Sequence, residues 1–195
     1  MKKQVPTTRR QQALQTKQHI YAVALALMQK NGYHGTTVGQ ISKAAQVSIG
    51  AFYHHFRAKE DLLFQIYQKA DDYFLQVVKT QLKAQSTLEK VVAYFGYYAD
   101  YNVQVGIETM KVLYHAENTW FVTKNRGMQV VLQTIIEQGQ AQQEIVTDLS
   151  SDYITEYLFI SARGVVFNWC LHEGKIDLVQ HMKAYIQQLV TLFVL

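Results

Sequence analysis

The 195-residue chain is 49% hydrophobic, which is enough to bury a substantial core and excludes an intrinsically disordered protein. A single cysteine excludes an internal disulfide, and from the polar first residues and short apolar runs we expect neither a signal peptide nor a membrane span. We therefore expect a cytoplasmic protein with no membrane partner. Residues 1–59 carry nine Lys and Arg and no acidic residue, whereas residues 60–195 carry ten basic and fifteen acidic residues. This asymmetry predicts that the N-terminal part binds a polyanion.

Three helices are predicted at the start of the chain, after a flexible arm of about ten residues. Apolar residues recur at helical spacing over residues 10–28, and Asn31-Gly32 then ends the first helix. Thr36 or Thr37 caps a second, short helix. After a tight turn, Ser48 caps a third short helix.

The rest of the chain predicts six further helices, and no segment alternates with the two-residue period of a strand. We therefore expect an all-α subunit of nine helices. Residues 1–59 would form a DNA-binding domain and residues 60–195 a ligand-binding and dimerisation domain. The six predicted helices cover approximately residues 59–83, 87–101, 105–115, 120–140, 152–172 and 177–195.

Residues 37–56 have the layout of a helix-turn-helix, with two short helices that follow a longer one and are joined by a tight turn. Ala44 and Ala45 are small enough for the two helices to cross closely. Phe52 and Phe56 are apolar anchors that would hold the third helix against the first two. The segment is therefore predicted to bind double-stranded DNA.

Several polar groups of this motif suit the DNA backbone. Side chains such as those of Ser48, Tyr53 and Lys59 can donate hydrogen bonds to phosphates, and Thr37 lies at a helix N-terminus that favours phosphate. Glycine at position 50 lets the backbone approach DNA closely. The candidate DNA-binding residues are Thr36, Thr37, Gln46, Ser48, Ile49, Gly50, Ala51, Tyr53, His54 and Lys59.

Residues 14–64 strongly resemble the DNA-binding domain of TetR-family transcriptional regulators. The segments that carry the resemblance read GYHGTTV at residues 32–38 and ISKAAQVSIGAFYHHFRAKEDL at residues 41–62. The resemblance implies a homodimer of nine-helix subunits that usually represses a nearby gene until a small molecule binds the C-terminal domain. It also implies DNA contacts, mostly to the backbone, at Thr37, Ser48, Gly50, Tyr53, His54 and Lys59.

Two features of the motif depart from the family pattern. Gln46 stands where the family usually has glycine, so a positive φ there would cost about 1 kcal/mol or the turn would be reshaped. Ile49 and Ala51 stand where bases are most often read, and they offer only apolar contact to a thymine methyl group. Hydrogen-bonded base readout is then left to Gln40, Gln46, His54, Arg9 or Arg10.

The segment from Tyr94 to Phe121 is rich in aromatic residues, which predicts either ordinary helix packing or a pocket for an apolar or aromatic ligand. Both interpretations remain open at this point. The candidate ligand-binding residues are Tyr94, Tyr98, Tyr101, Glu108, Met110, Tyr114, Trp120 and Asn168.

The last two predicted helices are apolar over a wide arc, which indicates burial on several sides. Pairing them with the same helices of a second copy would form a four-helix bundle and a two-fold dimer. Packing of these helices within a monomer is the alternative.

The sequence therefore predicts a repressor that a small apolar or aromatic effector releases from a palindromic operator. A ligand-sequestering protein with weakened DNA readout is the alternative. Cys170 and His172 could suggest an enzyme, but a core cysteine is the favoured interpretation. No Cys/His spacing resembles a zinc site and no glycine-rich phosphate loop is present, so we expect no enzyme activity, metal or cofactor.

Overall fold

The computed structural model describes residues 8–115 and 118–195, and these contain no β-strand beyond one isolated bridge between Ile145 and Val194. Nine helices account for most of the described chain, so the predicted all-α, nine-helix fold is confirmed. None of the described helices is both long enough and apolar enough to cross a membrane. The helices are α1 Arg9–Asn31, α2 Val38–Ala44, α3 Ile49–His55, α4 Glu60–Tyr73, α5 Thr87–Val105, α6 Ile107–Leu113, α7 Gly127–Ala141, α8 Ser151–Leu171 and α9 Leu178–Val190.

Two shorter features complete the description. Helix α4 continues through a π-helical segment, Phe74–Val78, into a last helical turn, Lys79–Gln81. A 3-10 helix, Thr119–Val122, precedes α7. The sequence predicts ordinary α-helix for both segments. The spacing of apolar residues does not reveal a short π-helical or 3-10 segment.

The start of α1 corrects the predicted arm. The Thr8 N–H donates to Gln11 Oε1 at 3.0 Å, which caps the helix so that it already begins at Arg9. Arg9 and Arg10 are therefore exposed residues of the first helical turn and not part of an arm. The remainder of the predicted arm, residues 1–7, lies outside the described residues.

The chain forms two compact units, with the boundary between Ile66 and Tyr67. In the first unit α1 packs against α2, and α2 packs against α3. Its apolar core buries the predicted anchors Phe52 and Phe56 and the predicted crossing residue Ala45, whereas Ala44, expected at the same crossing, is exposed. Helices α2 and α3 have seven residues each and rely on this packing. The core residues are Ile20, Ala24, Met28, Tyr33, Ile41, Ala45, Phe52, Phe56, Leu62 and Ile66.

A cluster of buried aromatic rings forms the centre of the second unit. The rings of Phe74 and Tyr94 are 4.8 Å apart between centroids, and Phe159 lies 5.6 Å from Phe95 and 5.9 Å from Tyr98. These edge-on and tilted contacts are the arrangements that aromatic rings favour. Helix α5 supplies three of the five rings and packs against α7, α8 and α9, so it is the central helix of this unit.

A largely buried ion pair joins α4 to the start of α7. Arg126 Nε lies 3.1 Å from Asp71 Oδ2, and the two side chains are 7% and 21% exposed. The Met128 N–H donates to Asp71 Oδ1 at 3.1 Å, and the guanidinium of Arg126 lies 4.9 Å from the centroid of the Tyr67 ring. One carboxylate therefore satisfies both a buried cation and the N-terminus of a helix.

Candidate nucleic-acid interface

The turn between α2 and α3 has the hydrogen bonds of a helix C-terminal motif that requires a left-handed residue. The Val47 N–H donates to the Ser42 carbonyl at 3.0 Å, and the Gln46 N–H donates to the Lys43 carbonyl at 3.2 Å. Gln46 itself has a φ of 56°. Position 46 therefore has the positive φ that glycine adopts readily, and the turn keeps its shape at the expense of strain in Gln46.

Gln46→Gly is expected to raise the free energy of unfolding by about 0.5 to 1 kcal/mol. The left-handed conformation costs a non-glycine residue about 1 to 2 kcal/mol, and the greater chain entropy of unfolded glycine offsets part of that gain. Urea unfolding of the full chain, followed by circular dichroism, measures the change. Gln46→Ala is the matched control because it keeps the Cβ atom. A Gln46→Gly protein no more stable than Gln46→Ala would contradict the strain.

Both helices of the motif begin with a side-chain cap. Thr37 Oγ1 accepts the Gln40 N–H at 3.2 Å, and Gln40 Oε1 accepts the Thr37 N–H at 2.8 Å. Ser48 Oγ accepts the Ala51 N–H at 3.0 Å. Since an accepting hydroxyl keeps its own proton, Ser48 can still donate to a phosphate. Gln40 is held in the cap, which weakens its candidacy as a base-reading residue.

The prediction that Thr36 contacts DNA is wrong. Its side chain is fully buried, and its hydroxyl donates to the Gly32 carbonyl at 2.8 Å. The side chain therefore holds the turn between α1 and α2 and cannot reach a phosphate. Short side chains next to a glycine commonly serve local turns in this way, but the sequence does not distinguish Thr36 from Thr37.

Lys59 serves the same turn and retains a free donor. Its Nζ donates to the carbonyls of Tyr33 at 2.9 Å and of Thr36 at 3.0 Å, and it lies 4.0 Å from the centroid of the Tyr33 ring. An ammonium group has three N–H donors, so one is left for a phosphate. Lys59 thus positions the α1–α2 turn as well as contributing positive charge.

The outward face of α3 carries four of the candidate residues. Ile49 and Tyr53 are about half exposed, Gly50 and His54 are also exposed, and Phe52 is fully buried beneath them. Residues 49, 50, 53 and 54 fall on one side of a helix because of its 3.6-residue period. Ala51 lies half-buried at the edge of this surface, which we call the α3 face.

The charge around the α3 face is positive. Residues 8–59 contain no acidic residue, and the first two acids that follow are engaged within the same unit. Glu60 Oε1 accepts the Tyr33 hydroxyl at 3.1 Å, and Asp61 Oδ2 accepts the Arg57 N–H at 2.7 Å. Burial, together with His54 and Lys17 nearby, lowers the pKa of His55, so this imidazole is uncharged at neutral pH. The lysines and arginines therefore supply the positive charge.

The structure brings only some of the candidate ligand residues together. Tyr94 and Tyr98 belong to the buried aromatic cluster, and the Tyr94 hydroxyl donates to the Met128 carbonyl at 2.7 Å. The hydroxyls of Tyr98 and Tyr114 are 3.5 Å apart. These three tyrosines form one group whose hydroxyl pKa values are all raised, chiefly by burial.

The other five candidates lie elsewhere in the second unit. Tyr101 stacks on Tyr73, Trp120 stacks on Tyr67, and Met110 is buried in α6. Glu108 is exposed and pairs with Lys111, whereas Asn168 faces a surface groove between α8 and α9. The eight residues therefore do not line a common cavity.

A cleft that the sequence analysis missed lies between the segment 121–133 and helix α8. Thr155, Phe159 and Arg163 line it from α8, and Phe121 lines it from the 3-10 helix. The spacing of four residues along α8 was the available signal, because it places these three side chains on one side of the helix. That side of the helix combines polar and aromatic residues, and this composition does not distinguish a cleft from ordinary helix packing.

Cys170 and His172 do not form a catalytic pair. Cys170 is buried, and burial raises the pKa of its thiol to about 11, so it stays protonated at neutral pH. His172 Nδ1 lies 2.8 Å from the Asn168 carbonyl oxygen. The cysteine is a core residue, as the favoured interpretation of the sequence expects.

Comparison with known proteins agrees with this geometry. Residues 20–66 match the family described as bacterial regulatory proteins, tetR family. Over 62 residues the chain is 44% identical to the HTH-type transcriptional regulator AcrR of Shigella flexneri, which covers 32% of this chain and 29% of that protein. It is 24% identical over 179 residues to the fatty acid metabolism regulator protein of Bacillus subtilis (strain 168), covering 88% and 92% of the two chains.

The fold of the whole chain is shared as well. The crystal structure of the transcriptional regulator FadR from Bacillus subtilis in complex with stearoyl-CoA superposes with a TM-score of 0.71 at 22% identity, covering 89% of this chain and 97% of that one. The family match includes α2, the strained turn at Gln46 and the α3 face. The match identifies residues 20–66 as a domain of the tetR family of bacterial regulatory proteins, and the shared fold extends over the rest of the chain.

Proposed function

We propose that the protein is a repressor that binds a palindromic operator as a homodimer and is released by a small apolar or aromatic effector. The observation that carries the DNA-binding part is the α3 face, where Tyr53 and His54 are held outward over the buried Phe52 in an acid-free, basic surrounding. The capped N-termini of α2 and α3 provide further groups for phosphate.

Backbone contacts dominate the proposed mode of binding. Ser48, Tyr53 and Lys59 each have a donor that can reach a phosphate, whereas Ile49 offers base edges only an apolar surface. His54 and Gln46 are two exposed polar side chains of the motif that can hydrogen-bond to bases. A ligand-sequestering protein would not need this surface, so the presence of the α3 face favours the regulator.

The same proposal accounts for an exposed apolar stripe on α8. Ile160, Phe167 and Leu171 are exposed at 56%, 46% and 65%, and Gly164 between them has open space where a Cβ atom would be. Tyr185 of α9, which is 48% exposed, lies across a shallow groove from the stripe. An exposed apolar stripe with a central small residue suits close packing against the same helices of a second copy.

Phe167→Glu is expected to convert the proposed dimer into monomers of 22.5 kDa. The reason is that a charge would be buried without a partner on both sides of a two-fold interface. Multi-angle light scattering across a concentration series measures the mass. Val103→Glu is the matched control, because Val103 has similar exposure, 43%, but lies on α5 away from the stripe. A monomeric wild type, or equal dissociation by both variants, would contradict this interface.

The effector is proposed to bind within the second unit, where α4 is anchored to α7. The related FadR of Bacillus subtilis was crystallised with stearoyl-CoA, which supports an apolar effector for this fold. A ligand that favours one arrangement of α4 would change operator affinity by linkage, typically by 1 to 3 kcal/mol. The two chains are only 22% identical, so the effector of this protein has to be inferred from its own site and not from the ligand of FadR.

The DNA-binding proposal is tested with fragments from the region upstream of the protein's own gene. Fluorescence anisotropy at low salt is expected to reveal a fragment that binds tightly, with an affinity that falls steeply as salt rises because phosphate contacts release counterions. A random fragment of equal length is the control. If no upstream fragment binds better than the random one at any salt concentration, the regulator proposal fails.

A further inference from the structure

The first half of α1 contributes little to the core of its unit. The buried residues of α1 are Ile20, Ala24 and Met28, and none of residues 9–19 is buried. That stretch extends about 16 Å along the helix axis, at about 1.5 Å per residue. Its one large apolar side chain, that of Leu14, is 56% exposed. Core packing therefore does not account for the length of α1 at this end.

This half of α1 is also basic. Arg9, Arg10 and Lys17 carry its positive charge, and it contains no acidic residue. The ion pairs found in the described part of the chain lie in the second unit, so no described acidic side chain neutralises these three cations. Arg10 and Lys17 are seven residues apart, which places them on the same side of the helix, two turns from each other. The first half of α1 therefore carries two cations on one side.

Lys17 joins this side of α1 to the end of α3. Its Nζ lies 5.5 Å from the centroid of the ring of Phe56, the residue that ends α3. Lys17 also lies close enough to His55 to contribute, after burial and His54, to the lowered pKa of that imidazole. The ring centroids of His54 and His55 are 5.0 Å apart, and His54 belongs to the α3 face. A row of polar and cationic groups therefore runs from the α3 face along α1 to Arg10.

We propose that Arg10 and Lys17, which we call the α1 basic patch, bind the phosphate backbone of DNA beside the major groove that the α3 face enters. The two residues are about 10 Å apart along the axis of α1, and the phosphates of one DNA strand follow each other at about 3.4 Å along the duplex axis. The patch can therefore neutralise two phosphates of one strand. The inference rests on the proposed function, because it extends the operator contact of the same domain.

The α1 basic patch meets phosphates and not base edges, because one helix already fills the groove. The major groove is about 12 Å wide, and an α-helix with its side chains is about 10 to 12 Å across. With α3 in the groove, α1 stays outside it and lies against the backbone that borders it. Arg10 therefore contributes affinity and positioning, whereas base readout is left to the side chains of the helix-turn-helix.

The test compares Arg10→Met and Lys17→Met with Lys30→Met in the full chain. Methionine is unbranched and a good helix former, so each variant loses a charge while α1 is preserved. Lys30 is the matched control because it is also exposed on α1 but lies roughly on the opposite side of the helix from Lys17. Fluorescence anisotropy measures the affinity for the operator fragment and for a random fragment between about 50 and 200 mM salt.

Each variant of the α1 basic patch is expected to bind both fragments about tenfold or more weakly at about 0.1 M salt. The slope of log affinity against log salt concentration should become shallower by about 1.8, because a dimer loses two phosphate contacts at about 0.9 each. The ratio of operator to random affinity should stay the same, since phosphates carry no sequence information. Lys30→Met is expected to leave the slope nearly unchanged.

Charge-preserving variants separate a lost phosphate contact from a disturbed helix. Arg10→Lys and Lys17→Arg keep the cation and should retain the salt slope of the wild type. An unchanged slope for either methionine variant of the patch, or an equal change for Lys30→Met, would overturn the α1 basic patch. A loss of affinity confined to the operator fragment would show that these residues read bases, and would overturn the assignment to the backbone.

The wild-type protein in the same experiment separates this inference from the proposed function. If it prefers the operator while the methionine variants keep its salt slope, the α1 basic patch is lost and the regulator remains. If it binds both fragments equally, the proposed function fails, and the slope on the random fragment still tests the patch. Absence of binding to either fragment would overturn both.

Discussion

Replacing Arg126 with methionine is expected to lower the free energy of unfolding by about 2 to 4 kcal/mol, the largest single effect outside the apolar core. Loss of one partner of a buried ion pair costs about 3 to 5 kcal/mol, and the 21% exposure of Asp71 reduces that cost. The substitution leaves the Asp71 carboxylate without its cation, while methionine preserves most of the packing volume. Urea unfolding monitored by circular dichroism gives the change.

Two further variants identify the cause. Lys124→Met removes a cation from the exposed pair with Asp152, and about 0 to 1 kcal/mol is expected, as is usual for surface pairs. Combining Arg126→Met with Asp71→Asn should recover part of the loss because the unpaired charge is gone. If Arg126→Met and Lys124→Met proved equally mild, the pair would not be what anchors α4 to α7.

Tyr53→Phe is expected to weaken operator binding by about 30- to 100-fold without changing the stability of the protein. A hydrogen bond to a charged group contributes about 1.5 kcal/mol or somewhat less in a solvated interface, and a dimer loses two of them. Tyr53 is 52% exposed, so its hydroxyl contributes little to the fold. Fluorescence anisotropy with the operator fragment measures the affinity, and the urea midpoint verifies the stability.

Tyr153→Phe is the matched control for this result. Tyr153 is also 52% exposed and loses the same hydroxyl, but it lies at the start of α8. An unchanged operator affinity for Tyr53→Phe, or an equal loss for Tyr153→Phe, would contradict the assignment of the α3 face.

The helix-turn-helix could be predicted from sequence because its determinants are local. Thr37 and Ser48 cap their helices within three residues, and the left-handed Gln46 lies in a turn whose hydrogen bonds span five residues. Resemblance to a known family identified position 46 as the strained one. The exact start of α1 was predicted less well, since the Thr8–Gln11 cap lies within a polar stretch without apolar periodicity.

The ligand region could not be predicted in the same way, because its geometry depends on contacts distant in sequence. Arg126 and Asp71 are 55 residues apart, and Arg163 meets the Phe121 carbonyl across 42 residues. Composition showed that the region is aromatic, but it did not distinguish Tyr94, which is packed in the core, from Phe121, which lines a cleft. Which aromatic residues are accessible is decided by the packing of α5 against its neighbours.

Hydroxyl-radical footprinting of the upstream fragment shows whether two α3 faces of a dimer contact DNA. We expect two protected patches related by two-fold symmetry, with centres about 34–36 Å apart or at a multiple of that distance, as two recognition helices in major grooves require. Tyr53→Phe should weaken both patches equally. A single patch without symmetry, or two patches that Tyr53→Phe leaves at full strength, would show that the α3 faces do not bind the operator in this way.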